Sequence, residues 1–201
     1  MSATPEDPPD GPPDDPDTFF LPLGDRSLAG KASLPTTDLQ FARLAGVDLS
    51  GANLYWASLN NAVLEGAILR GCELAGAVLD GAKLRGADLR GADLGLDGMG
   101  GTTDLIEADL TGADLRDARI SGAVFRRARL VGADLRGVRG AAERADRPTR
   151  FEGADLSGAR FDGAILTGAT YDADTCFPRG FSPHDAGMEA ADRRRGLRGD
   201  R

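Results

Sequence analysis

The sequence is poor in the side chains from which active sites are built. Its 201 residues include one histidine, His184, two cysteines and one tryptophan, Trp56, and aromatics make up 5%. With one histidine, a His-based nucleophile would need His184 to reach across from the C-terminal segment. No metal-ligand spacing such as H-E-x-x-H or C-x-x-C occurs. Cys72 and Cys176 are too few and too far apart for a disulfide framework, and they read as reduced thiols. No apolar run is long enough to span a bilayer. The N-terminus has neither a basic start nor an apolar stretch. These absences give a non-enzymatic, cytoplasmic reading with no cofactor, no metal and no membrane association.

What the chain has instead is a five-residue unit, clearest between Gly81 and Leu94: GAKLRGADLRGADL. Large apolar centres recur every five residues from Leu34 to Leu94, from Leu105 to Leu135 and from Phe151 to Tyr171. Of these 25 centres 20 are Leu, and Ala stands two residues before 20 of them. The exceptions are Thr37, Val47, Cys72, Thr103 and Thr149. A period of five fits no ordinary element. On an α-helix successive centres would fall about 140° apart and circle the axis. On a flat strand they would alternate faces. Within a unit, however, Ala and Leu lie two apart, so an extended segment turns both inward. Keeping every pair inside requires a corner once per unit, and the frequent Gly after the centre suits that corner. The chain is then a coil of short extended sides, with Leu stacked on Leu and the small Ala filling its narrow axis.

This A-[D/N]-L-x-x pattern resembles the pentapeptide-repeat family. The resemblance covers residues 32–172 and implies an all-β fold, a right-handed quadrilateral β-helix with four units per coil. That geometry gives roughly six coils and a rod about 30 Å long. A linear stack of this kind needs closed ends. Phe19, Phe20, Leu21 and Leu23, with Leu28, form the first apolar cluster and read as an N-terminal cap over residues 19–31. After Tyr171 the run to Pro183 is similar to the YD-x-x-T-x-FP-x-GF-x-P ending of many family members. There Phe177 and Phe181 would cover the last coil, giving a C-terminal cap over 173–188. Residues 1–18 are rich in Pro and Asp and read as a disordered acidic tail. Residues 189–201 read as a basic tail.

Two breaks interrupt the register, near 95–103 and 137–148. Each spacing is one residue over a multiple of five; at the first, either a loop leaves the coil or a poor unit around Met99 precedes a one-residue insertion, and the second reads as a charged loop projecting from the rod. The second break carries Arg139, Glu143, Arg144, Asp146 and Arg147, and loops on a rigid scaffold are where function concentrates. Tyr55 and Trp56, like Phe41, stand at outward positions, where they either meet a partner or lie under a folded-back N-terminal segment. The Asp residues before the centres, such as Asp88 and Asp114, read as a solvated outer face. Tyr55, Trp56, Arg139, Glu143, Arg144, Asp146 and Arg147 are therefore the candidate partner-binding residues.

The family resemblance implies two kinds of role. Its topoisomerase-protecting, quinolone-resistance members imitate B-DNA, bind DNA gyrase and protect it from poisons, which makes DNA gyrase the specific expected partner. The alternative is a structural or protein-interaction scaffold with a protein partner of another kind. Direct nucleic-acid binding is not expected. The formal net charge is −8, and Arg interleaves with Asp along the repeats, as in Asp114-Leu115-Arg116-Asp117. A duplex carries a charge about every 1.7 Å. A continuous acidic stripe would favour mimicry, and interleaved signs favour docking.

Overall fold

The computed structural model describes residues 32–191. The acidic tail, the N-terminal cap and residues 192–201 lie outside the described residues. Each unit turns one corner. Ala67 N donates to Leu64 O at 3.0 Å, and Gly66 between them has φ 63°, the signature of a type II turn. A positive φ recurs at this position in the corners from Thr36 to Gly91, Glu107 to Gly137 and Gly153 to Gly168, which is why Gly is so frequent there. Among the described residues, seven non-glycine residues also take a positive φ, Phe41 (58°) and Trp56 (56°) among them.

Four corners return the chain to the same side one level along. Ser33 pairs with Asn53, Asp38 with Ser58, Arg43 with Val63 and Asp48 with Ile68, all in parallel. Each partner is 20 residues on, or four units. We number the four sides by these residues. Side 1 stacks Ser33, Asn53, Glu73, Asp93, Arg119, Arg139 and Ile165, and sides 2, 3 and 4 begin at Asp38, Arg43 and Asp48. Because only two or three residues stay extended between corners, the sides pair as single bridges. The named strands are β1, Thr170–Tyr171, and β2, Glu189–Ala190, which pair in parallel. No helix occurs among the described residues.

The interior is the expected Leu and Ala ladder. Leu79, Leu84, Leu89 and Leu110 are fully buried, as are Ala77, Ala82, Ala87 and Ala108. On side 2, Phe125 and Phe151 replace Leu and stack with centroids 5.2 Å apart and planes 8° off parallel. The Asp before each centre is more than a solvated acid. Asp109 Oδ1 accepts the N–H of Thr111 at 3.0 Å, Asp155 that of Ser157 at 3.0 Å, and Asn53 that of Tyr55 at 3.0 Å. Those N–H groups enter a corner without a backbone acceptor. A short side-chain acceptor two residues back satisfies them.

Both breaks are loops. The bridges Val78–Asp104 and Val124–Arg150 span 26 residues, so each coil that contains a break is six residues longer. Both loops leave between side 1 and side 2. The residue that re-enters the core after each is Thr rather than Ala. Thr103 Oγ1 donates to Leu74 O at 2.9 Å. Thr149 Oγ1 lies 2.9 Å from Ile120 O and 2.8 Å from Gly140 O, and accepts the Gly122 N–H at 3.1 Å. The second loop begins after Gly140 rather than at Gly137. Val138-Arg139-Gly140 is one more unit, bridged on both sides, with Gly at its centre. A Cβ on Gly140 would sit 2.9 Å from Ile120 Cγ1 and 3.2 Å from Leu166 Cδ2, so the neighbouring coils already fill its place.

At the C-terminal end, Phe181 packs on Phe161 at 4.7 Å and on Phe177 at 5.3 Å, and Phe177 meets Tyr171 edge-on at 5.4 Å. Met188 is buried behind them. Glu189 and Ala190, assigned from sequence to the tail, instead add a rung to side 2.

Candidate functional site

The corner between sides 1 and 2 is unlike the other three. In the second coil it carries Tyr55 and Trp56, which follow Leu54. Trp56 lies over Gly76 of the next coil, where a Cβ would stand 2.6 Å from its Nε1. One coil further the first loop folds back to meet both aromatics. Trp56 Nε1 donates to Asp97 Oδ2 at 2.7 Å, and the Tyr55 hydroxyl to the same oxygen at 3.2 Å. The other oxygen of Asp97 accepts the N–H groups of Met99 and Gly101, closing the loop on itself. Burial alone would raise the Asp97 pKa, but these hydrogen bonds outweigh it and hold the carboxyl below its usual value. Among the described residues this loop covers the aromatic pair in part, and Trp56 is 44% exposed; the N-terminal segment that the sequence reading folds back over the pair lies outside the described residues.

The two loops are joined. Arg119, in the coil between them, holds Asp93 at 2.9 Å and Glu143 at 3.1 Å, and donates to Leu96 O at 3.2 Å. Arg147 reaches from the second loop to Gly100 O at 2.6 Å. Leu96 lies over Gly122, where a Cβ would clash with its Cγ. Tyr55, Trp56, Glu143, Arg144, Asp146 and Arg147 thus lie along one corner of the rod, and Arg139 is on the adjoining side 1. Arg144 pairs with Asp146 at 3.2 Å and both are exposed. Met99 is the apolar tip of the first loop, 80% exposed.

Sequence reasoning named the aromatics and the charged loop but missed Asp97 and Arg119, which connect them, and did not name Met99 as a candidate contact. The signal was present only in part. Gly76 and Gly122 look like every other corner glycine. Nothing in the repeat register says that six-residue insertions in two different coils emerge at the same corner.

Side 4 carries the densest row of acids, and it is not an open acidic stripe. Arg70 and Arg90 hold Asp88 at 2.6 and 2.8 Å, Arg116 holds Asp114 at 2.7 Å, and Arg136 holds Asp134 at 2.6 Å. Arg90 and Arg116 also reach the next acid at 3.7 and 3.8 Å. The result is an alternating ladder of charge. Hydrogen bonds from Arg90, Arg116 and Arg136 hold the carboxyls of Asp88, Asp114 and Asp134 below the usual range. His184 is exposed beside Asp185, at 3.5 Å. The geometry offers a rigid, shaped surface with an apolar tip, an aromatic pair and mixed charges, the chemistry of an interface core and rim.

The model for pentapeptide repeats matches in 8 copies, over residues 32–59, 57–95, 103–139 and 149–170. Several solved structures are similar. HetL, a pentapeptide repeat protein involved in heterocyst differentiation regulation in the cyanobacterium Nostoc sp. strain PCC 7120, is 28% identical over 83% of this chain and 72% of its own, with a TM-score of 0.40. QnrB1, a plasmid-mediated fluoroquinolone resistance protein, is 16% identical over 86% of this chain and 89% of its own, with a TM-score of 0.49. A pentapeptide repeat protein from the Arabidopsis thaliana thylakoid lumen is 28% identical over 55% of this chain and 66% of its own, with a TM-score of 0.21. No curated protein matches the chain. The repeat units and the matches to them carry the assignment: the chain belongs to the pentapeptide-repeat family.

Proposed function

We propose that this protein is a non-catalytic docking rod that binds a protein partner through the corner between sides 1 and 2. The right-handed sense of its coil follows from family membership. The observation that carries the proposal is the joined pair of loops. Arg119, Arg147 and Asp97 hold two separate insertions and an aromatic pair in one arrangement, so the surface is ordered before binding and little entropy is lost on docking. The exposed Met99 and Trp56 supply apolar contact, and Arg144 and Arg147 supply a polar rim. Replacing Met99 by Asp and Trp56 by Ala tests this, since both should abolish capture of the partner while the fold persists.

A second reading names the partner as DNA gyrase. It draws on the resemblance to topoisomerase-protecting members and on two loops placed to engage one protein together. The charge ladder of side 4 weighs against imitation of a duplex, so binding would run through the loops rather than through an acidic face. Titrating the protein into a gyrase supercoiling assay, with and without a gyrase poison, distinguishes the two. Inhibited supercoiling or reduced poison-stabilised cleavage supports gyrase, and no effect leaves docking to another protein.

A further inference from the structure

The two methionines among the described residues sit in opposite surroundings. Met188 lies behind the C-terminal cap, 6% exposed, whereas Met99 stands at the tip of the first loop, 80% exposed. Gly98, Gly100 and Gly101 flank Met99 and offer no side chain to shield its sulfur. The backbone beneath it is tied down. Met99 N donates to Asp97 Oδ1 at 2.9 Å, Gly100 N to Asp97 O at 3.1 Å, and Asp97 N to Gly101 O at 3.1 Å. Arg147 holds Gly100 O from the second loop. The loop therefore owes its shape to Asp97 and Arg147, and the Met99 side chain is free to change chemically without unfolding it. An apolar anchor is the group whose polarity matters most to an interface. A thioether is an apolar group that a mild oxidant turns polar and that a reductase turns back.

We propose that Met99 is a redox-sensitive modification site that switches docking at this corner off, with hydrogen peroxide as the oxidant. The proposal rests on the docking reading and adds its regulation. The Met99 sulfur attacks one peroxide oxygen with a lone pair, and the O–O bond breaks. The sulfur is oxidised by two electrons to the sulfoxide. The displaced hydroxide takes the proton of the new S–OH group and leaves as water. The tip then carries an S=O acceptor, which a partner's apolar surface can cover only at the cost of an unpaired polar group. Met188 keeps its thioether because the cap shuts peroxide out. The bond from Trp56 to Asp97 does not involve the sulfur, so the switch removes one contact and leaves the rest of the surface in place.

Two measurements on the full chain test it. In the first, purified protein is exposed to hydrogen peroxide and oxygen gain is followed peptide by peptide by mass spectrometry. Met99 should oxidise at least about tenfold faster than Met188, and the difference should vanish in denaturant. Trp56 emission should not shift to the red. The second uses a photo-crosslinking amino acid at Ala145, which is exposed in the second loop. The chain is oxidised, freed of peroxide and irradiated in cell extract. Its discrete protein adduct should fall about tenfold and return after treatment with methionine sulfoxide reductases. Met99→Leu has no sulfur at the tip, and its adduct, compared with its own untreated sample, should not change with peroxide. Equal oxidation of Met99 and Met188 in the folded chain overturns the proposal while docking stands. So do a red shift of Trp56, an adduct that survives full oxidation of Met99, and an equal loss in Met99→Leu. No adduct from the unoxidised chain overturns the docking reading, and this proposal with it.

Discussion

The Trp56 indole N–H donates to the carboxylate of Asp97 across 2.7 Å, although 41 residues separate them in the chain. This bond joins the second coil to the first loop, and it turns two unrelated departures from the repeat into one surface. Asp97→Ala removes the acceptor of two side-chain donors and two backbone N–H groups. Chemical denaturation should show a loss of about 1–3 kcal/mol. Because Trp56 is the sole tryptophan, its emission should shift to the red as the loop lifts away. Unchanged emission would show that the loop does not depend on Asp97.

Gly76 and Gly66 occupy the same corner position, with φ 74° and 63°, but only Gly76 lies beneath an indole. Gly66→Ala meets open space and should cost about 1 kcal/mol, from backbone conformation alone. Gly76→Ala adds a clash with Trp56 and should cost more. In a Trp56→Gly background that excess should vanish, which a double-mutant cycle would reveal as coupling.

The hydroxyl of Thr149 has three backbone neighbours within hydrogen-bonding distance, whereas that of Thr103 has one. Thr149→Val keeps the shape and strands the Gly122 N–H and Gly140 O in the core, while Ile120 O keeps the Ala123 N–H, so it should lower stability by about 1–3 kcal/mol. Thr103→Val should cost less. Equal effects in thermal melts would show that the hydroxyl contacts do not set the re-entry of the loops.

On side 4, Asp88, Asp114 and Asp134 have folded pKa values below their unfolded value of about 3.9. Their contribution is therefore fully present above pH 4 and fades as pH falls through the lower folded values. The melting temperature should drop below pH 4. In Arg90→Gln/Arg116→Gln the drop should be smaller, and added salt should mimic part of that change.

Cys72 occupies an inward small-residue position, where burial pushes its thiol up to about 11. Its Sγ–H also donates to Leu49 O at 2.9 Å. Cys176 is exposed. A thiol reagent at pH 8 should modify one cysteine in the native protein and two after denaturation. Two fast-reacting thiols in the native state would contradict the packing of side 1.

The repeat was legible because each unit writes the same local instruction: small residue in, large residue in, corner. Leu84 and Ala82 could be placed inward from the five-residue period alone. Gly140 could not, because its unit keeps its backbone pairing while Ile120 and Leu166 from adjacent coils take the place of its side chain. Glu189 and Ala190 were hidden for a similar reason, since a two-residue rung has no periodicity of its own. For the candidate site, the outward Tyr55–Trp56 pair was visible as a break in polarity. Asp97 and Arg119 were not, because they resemble dozens of other charged residues until the stacking order sets Asp97 in the first loop against Trp56 and Arg119 between the two loops.

The most direct test of the docking corner is a photo-crosslinking amino acid placed at Met99 or at Val131. These positions lie on opposite corners of the rod, Val131 between sides 3 and 4. In cells, the account predicts a discrete protein adduct from position 99, lost in the Trp56→Ala variant, and none from position 131. An adduct from position 131 with none from position 99 would contradict it.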